Sequence, residues 1–505
     1  MMAGMDSPVD QDVLIVGAGL SGIGMAAHLQ MHSPDRSFAL VERRANLGGT
    51  WDLFRYPGIR SDSDMHTLGF VFEPWRHEKS IADGPSILEY LNRIVDERGI
   101  REHIRFNNKV VGADWDSAAA RWTVTMEDDK GAVSTTTARW LYLGSGYYDY
   151  DEPFDANFTG REDFAGQIIH PQFWPKDFDY SGKKVVVIGS GATAVTIVPS
   201  MADKAAHVTM LQRTPTWYAI RPAKDGFANF LRKILPEETA YRLTRLKNIR
   251  LQDIVFRRAR EKPEKVAEFL TKKLKQALGD RYDPVAFTPP YNPWDQRLCL
   301  VPDADFFEAM KAGKASVVTD HIERFDKTGI QLKSGQHLDA DVIITATGLK
   351  LAVAGKIPVR VDGEPVAWNE HFYYKACMFS NVPNFSVVFG YLNASWTLRA
   401  DIVSEYVCRV LNHMRDTGTT VATPLLADPT SLTEENIFDF SSGYIQRALH
   451  IMPKNADKLP WRLSQNYVQD RIDMRTGPVD DGVLKFGKAA SVSKEASAPA
   501  LEAAE

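Results

Sequence analysis

Cysteine is scarce in this chain. Cys299, Cys377 and Cys408 are the whole complement of 505 residues, and no two lie close in sequence. Without a C-x-x-C pair, neither a zinc ribbon nor a dithiol redox centre is available. Long apolar runs are missing too: none approaches the ~18 residues needed to span a bilayer. No basic segment precedes the first apolar stretch. Residues 13–18 therefore read as a buried strand running into glycines rather than as a secretory signal, and a cytoplasmic address is expected. Nor does one sign of charge dominate. Sixty Lys and Arg stand against 65 Asp and Glu, a net of −5, so no global positive field argues for a nucleic-acid partner. What remains is 44% hydrophobic, 25% charged and 10% aromatic. That composition excludes a disordered, collagen-like or disulfide-dense protein, and the length predicts two to four units of about 150 residues.

Two stretches carry one pattern. Residues 12–16 read as a strand, 17–22 as a glycine turn, 23–31 as a helix and 38–42 as a second strand. Residues 184–188, 189–194, a helix to about 201 and a strand over 207–212 repeat it. Two such units predict an α/β fold with two Rossmann-like dinucleotide-binding domains rather than one enlarged domain. Strands at 121–126 and 140–144 are expected to complete the first domain, and a strand at 341–345, ending in Ala-Thr-Gly348, to return to it. The predicted division is 8–148 and 341–487 for the first domain and 149–340 for the second, with a helical insertion at about 225–290. Residues 488–505, rich in Ala, Ser and Glu, are expected to be a disordered tail. The insertion is basic: residues 231–281 hold fifteen Lys and Arg and seven Asp and Glu, a local net of +8. Its plainer reading is a helical insertion with a solvated face; its sharper one is a surface that meets anionic lipid or a partner, making the protein membrane-associated.

Gly17, Gly19 and Gly22 fit G-x-G-x-x-G between a strand and a helix. Such glycines allow a tight turn, close approach of backbone to a pyrophosphate, and close helix packing. Glu42, at a strand end twenty residues after Gly22, is placed to accept hydrogen bonds from an adenosine ribose. The second turn, Gly189, Ser190, Gly191, Ala192, Thr193 and Ala194, fits G-x-G-x-x-A. Its strand end carries Gln212, Arg213 and Thr214 and no carboxylate. A 2′-phosphate is repelled by Glu and attracted by a guanidinium. FAD in the first unit and NADPH in the second is the simplest pairing.

The run Gly48-Gly-Thr-Trp-Asp-Leu-Phe-Arg-Tyr-Pro-Gly-Ile-Arg-Ser-Asp62 resembles the G-G-x-W…Y-P-G-x-x-x-D signature of type I Baeyer–Villiger monooxygenases. Residues 164–175 match that family's F-x-G-x-x-x-H-x-x-x-W-P fingerprint at Phe164, Gly166, His170, Trp174 and Pro175. With the two glycine motifs in order, the resemblance covers about residues 10–410. The stretches 61–65, 291–298 and 393–397 look most like the subgroup that includes the mycobacterial thioamide-prodrug-activating monooxygenase. The resemblance implies a two-domain enzyme using FAD, NADPH and O₂. There a C4a-peroxyflavin inserts one oxygen atom beside a ketone carbonyl to give an ester or lactone.

It also implies roles. Arg297 matches the active-site arginine, a fixed positive charge in a dry site, and Asp62 matches its partner aspartate. Thr50, Trp51 and Val110 match cofactor-binding positions, the first two beside the flavin. Arg60 matches a nicotinamide-side position and Thr214 an adenine-phosphate position. His170 is expected to organise the link between domains rather than to move protons, and Trp174 with Pro175 to form a packing corner. Gln296 departs from relatives that carry Lys there, which leaves Arg213 as the main NADPH determinant.

One other reading stays open and two fit less well. A flavin monooxygenase oxygenating sulfur or nitrogen nucleophiles, such as a thioether, would share both folds. A disulfide reductase needs the cysteine pair this chain lacks. A non-catalytic redox sensor leaves the Arg297 and Asp62 pair without a purpose.

Overall fold

The computed structural model describes residues 9–438 and 440–489. The expected disordered tail at 488–505 falls, from 490 on, outside those residues.

Two sheets organise the chain. The larger has nine strands. Its parallel centre sets Gln11–Val16 between Phe38–Val41 and Val133–Leu143, with Phe385–Val387 also parallel to Val133–Leu143. The antiparallel strands Asn108–Asp116 and Arg121–Asp128 extend it. Residues 13–15 are fully buried, as befits a strand covered on both faces. Helices Leu20–His32 and Trp396–Thr417 pack together over one face.

The smaller sheet has five parallel strands, in the order Ala315–Thr319, His207–Gln212, Lys184–Ile188, Val342–Thr345, Gln167–Ile169. Here one expectation is corrected: Val342–Thr345 does not return to the first unit but sits inside the second sheet. The reason is steric fit. Ile343 and Ile344 are fully buried, and the chain just beyond the strand crowds Gly189 so closely that a Cβ there would lie 2.3 Å from the Ala346 carbonyl oxygen. The chain re-enters the first unit only afterwards, where the Asp149 N–H donates to the Lys350 carbonyl (2.8 Å) and the Ala352 N–H to the Tyr147 carbonyl (3.0 Å).

The insertion contains helices Gly226–Ile234, Glu237–Glu261, Pro263–Leu278 and Pro284–Phe287. The longest reaches across to the first unit through Arg245, whose side chain is 6% exposed. Arg245 donates to the carbonyls of His66 (2.9 Å) and Gly69 (2.7 Å) and to Asp401 (3.0 Å). Asp401 also takes the Val71 N–H and lies 3.2 Å from His28 Nε2. A buried charge met by this many partners is a fixed clasp. No described helix is long and apolar enough to cross a membrane.

Candidate functional site

In the first turn Gly17 has φ +96° and donates its N–H to Val41 (2.8 Å). Gly22 is demanded by the protein itself, since a Cβ there would sit 1.8 Å from the Gly17 carbonyl oxygen. Gly19 is not: its added Cβ would make only ordinary contact, 3.5 Å from Gly49. It caps helix Leu20–His32 with no side-chain hydrogen bond and no acid in the first turn. A helix N-terminus left uncapped over a bare backbone is suited to an anionic group. Glu42 is 4% exposed. Its two carboxylate oxygens take the Ala18 and Arg44 N–H groups at 2.8 and 2.9 Å. Burial pushes its pKa up while those N–H bonds pull it back. One lone pair on each oxygen stays available to a diol.

The second turn repeats the plan. Gly189 has φ +130° and donates to Leu211 (2.8 Å). Gly191 caps helix Ala192–Met201, again without side-chain cap or first-turn acid. A Cβ on Gly191 would meet nothing within 4 Å, so no protein atom requires glycine there. Ala194 is fully buried against the strands. Ser190 donates its hydroxyl to the Thr214 carbonyl (2.9 Å). Gln212 takes the place of Glu42 but turns into the protein, donating to the Ala286 carbonyl (2.7 Å) and to Thr319 (2.9 Å). Arg213 follows it, exposed.

The two units meet over one cleft. Gly17, Gly19, Glu42, Thr50, Trp51 and Val110 line it from the first unit, as do Arg60 and Asp62; Ala192, Thr193 and Arg297 line it from the second. Gly22, Gly189, Ser190, Gly191, Ala194, Arg213 and Thr214 lie behind or outside this lining. Gly58, with φ +75°, lets the first unit's loop lean on helix Ala192–Met201, where a Cβ would lie 1.8 Å from the Ser200 hydroxyl oxygen. Tyr56, buried, lines the cleft together with Thr193 of that helix.

Arg297 donates from Nη1 to Asp62 at 3.4 Å, with side-chain exposures of 32% and 51%. Burial alone would disfavour the guanidinium charge. Its oxygen-rich neighbours, Tyr444, Tyr147, Asp62 and Tyr148, outweigh that and raise the pKa above the ordinary arginine value, so Arg297 stays charged. Arg60 is already engaged, its two terminal guanidinium nitrogens, Nη1 and Nη2, meeting the Asp305 carboxylate. Gln296, half-buried, precedes Arg297.

Sequence reasoning did not assign the aromatic wall of the cleft. Tyr147 stacks on Trp396 with ring centres 5.0 Å apart, and its hydroxyl lies 2.6 Å from that of Tyr148. Trp396 is anchored by its indole N–H on Ser21 (2.8 Å). The available signals are the tyrosine pair directly after Gly144-Ser-Gly146, a glycine turn at a strand end, and the subgroup-like stretch 393–397 that contains Trp396.

The fingerprint flanks the second sheet's edge strand Gln167–Ile169, away from the cleft lining. Gly166 is needed because a Cβ would meet the Asp341 carbonyl at 2.3 Å and the Phe164 ring at 2.6 Å. His170 accepts the Gln172 N–H at Nδ1 (3.2 Å), and burial lowers its pKa. Gln172 in turn donates to the Asp149 carbonyl (2.8 Å). Trp174 packs edge-on to Phe178, and Pro175 is exposed. The three cysteines are free and buried, and burial pushes each thiol up to about 12. Such thiols are unreactive at neutral pH.

A family described as pyridine nucleotide-disulphide oxidoreductase matches residues 14–253. The FAD-containing monooxygenase EthA of Mycobacterium tuberculosis is 51% identical over 480 residues, 94% of this chain and 98% of that protein. EthA of Mycolicibacterium smegmatis is 50% identical over 490 residues, 96% and 99% of the two chains. Among solved structures, an oxidized steroid monooxygenase bound to NADP superposes with a TM-score of 0.76 at 22% identity, covering 95% of this chain and 99% of that one. The chain belongs to the FAD-containing monooxygenases, flavoprotein oxidoreductases built on two Rossmann-type domains.

Proposed function

We propose that this chain uses FAD, NADPH and O₂ to insert one oxygen atom beside a ketone carbonyl, giving an ester or lactone. The single observation that carries this reading is the Arg297–Asp62 pair, one member from each unit, at a cleft walled by tyrosines.

The residues present fit both cofactors. FAD would lie on the bare backbone of Gly17 and Gly19 and the helix start beyond, with its ribose diol on Glu42 and with Thr50, Trp51 and Val110 along its length. NADPH would lie on Gly189, Gly191 and the N–H groups of helix Ala192–Met201, with Arg213 at its 2′-phosphate. The NADP bound to the steroid monooxygenase of like fold supports the second assignment. Bound FAD supplies the hydride acceptor and the site where O₂ is activated.

The chain's own residues supply position and charge. Arg297 holds a permanent positive charge where negative charge builds on the reacting oxygen, and a preorganised cation is worth more there than in water. Asp62 steers the guanidinium fork without cancelling its charge, being half exposed. Tyr147 and Tyr148 exclude water from the same corner. Arg60, held by Asp305, keeps the neighbouring wall rigid.

The test is product analysis by mass spectrometry. Cyclic, linear and aryl ketones, with thioethers alongside, are incubated with NADPH and ¹⁸O₂. One ¹⁸O in an ester or lactone is expected. Label in sulfoxide alone, with every ketone recovered unchanged, overturns the reading.

A further inference from the structure

The helical insertion is clasped to the first unit on one face only. The opposite face has an unusual surface, and we propose that it seats the protein on an anionic lipid bilayer. Among the described residues, sixteen large apolar side chains are exposed, and ten of them lie between 227 and 285. That concentration is a patch rather than the ordinary scatter of surface hydrophobics.

Its geometry follows from helical periodicity. On helix Glu237–Glu261, Leu243, Leu251 and Ile254 fall on the side opposite Arg245, and Arg250 and Arg258 lie among them. All five are exposed. The shorter helix Gly226–Ile234 presents Phe227, Phe230 and Ile234 at i, i+3 and i+7, at 43%, 58% and 58% exposure. The two helices pack side by side and are joined at Pro236. Lys247 closes the seam, lying 4.6 Å from the Phe227 ring centre and 2.8 Å from Asp225. The apolar stripes of both helices therefore share one outward surface. Arg250 and Arg258 have no ion-pair partner among the described residues.

Apolar side chains interleaved with unpaired cations fit a surface that is apolar below and anionic at its rim, which describes the interface of an anionic bilayer. A second copy of the chain fits worse. A two-fold contact sets the same patch against itself and would bring Arg250 and Arg258 face to face with their own copies. A spanning mode is not available to these helices.

The experiment is co-sedimentation of the full-length flavin-loaded protein with vesicles of phosphatidylcholine, with and without 30% phosphatidylglycerol. Binding to the anionic vesicles is expected, weakening as salt rises. Arg250→Gln with Arg258→Gln should weaken it about 30-fold at low salt, taking about 1 kcal/mol for each basic side chain near an anionic surface. Phe230→Asp with Leu243→Asp should abolish it. Both positions are more than 40% exposed, so flavin content and melting temperature serve as the folding check. Equal binding to neutral vesicles, or none to anionic ones at low salt, overturns the proposal. So does concentration-dependent self-association in sedimentation velocity, without lipid, that the same variants remove.

Discussion

The two glycine turns begin from the same bond and diverge at the next residue along the strand. Gly17 donates to Val41 and Gly189 to Leu211, both at 2.8 Å. The residue after Val41 is Glu42, a buried carboxylate whose two oxygens are aimed by backbone N–H groups. The residue after Leu211 is Gln212, whose amide turns away into the insertion, and Arg213 beyond it is exposed. On the proposed cofactor placement, one backbone plan would present a carboxylate to a free ribose in one unit and a cation to a phosphate in the other. Cofactor identity would then be written at one strand end, while the turns would recognise only a pyrophosphate.

The place where the units meet carries the largest expected effect. Arg297→Ala should lower ketone oxygenation by at least ~10²-fold, the scale of removing one preorganised electrostatic contact, while flavin stays bound and NADPH is still slowly oxidised. Arg297→Lys should restore only a fraction of the loss, because an ammonium lacks the planar fork that Asp62 orients. Single-turnover kinetics with and without ketone separate the steps. Ester formation at the wild-type rate in Arg297→Ala would sink the proposed role.

Next in size is the divergence itself. Arg213→Ala should raise KM for NADPH about tenfold to a hundredfold and leave NADH nearly unchanged, as expected for one charge-assisted contact to a group that NADH lacks. Gln212→Glu should reproduce some of that discrimination against NADPH by restoring the first unit's carboxylate. Steady-state kinetics with both coenzymes decide it; equal losses for both would remove the 2′-phosphate assignment.

The glycines sharpen the comparison in a different way. Gly22 is required by packing, and Gly22→Ala forces a methyl onto the Gly17 carbonyl at 1.8 Å. Overpacking of that kind costs about 1–3 kcal/mol, so both melting temperature and flavin content should fall. Gly191→Ala has open space around the new methyl, so melting should be unchanged. KM for NADPH should nonetheless rise about tenfold, through one weakened backbone contact. A Gly191→Ala protein with unaltered KM would mean that no ligand approaches that turn closely.

Much of this was readable from local sequence because the information is local. A glycine motif, a strand end and the residue after it lie within about 25 positions, so their spacing alone places them on one strand–turn–helix–strand unit. The strand Val342–Thr345 was misplaced because four apolar residues carry no address; the crowding of Ala346 on Gly189 decides where it docks. Arg245 was lost in a basic segment because charge counting cannot tell a cation buried on Asp401 from one facing water. Tyr147 and Trp396 look like any core aromatics until their stacking is seen.

The smallest expected effect concerns the turn that follows the second sheet's edge strand Gln167–Ile169. His170 caps the turn Pro171–Phe173 through Nδ1, and its pKa is lowered, chiefly by burial. An imidazole whose folded pKa lies below its unfolded value binds fewer protons when folded. Its contribution to stability is therefore full above the ordinary histidine value of about 6.5 and is lost as pH falls through the lowered folded value. His32 and His66 are shifted in the same direction, again with burial first among the causes, so three groups act together. His170→Asn keeps a side chain able to accept the Gln172 N–H but removes one of the three titrations. Its melting temperature should therefore fall less steeply than the wild type's below about pH 6.5, and the two should run parallel above about pH 7.5. Ketone oxygenation at about pH 8 should be close to unchanged, since His170 lies outside the cleft lining. If instead the variant loses activity there with its melting temperature intact, His170 takes part in the chemistry, and the turn it caps is more than a scaffold.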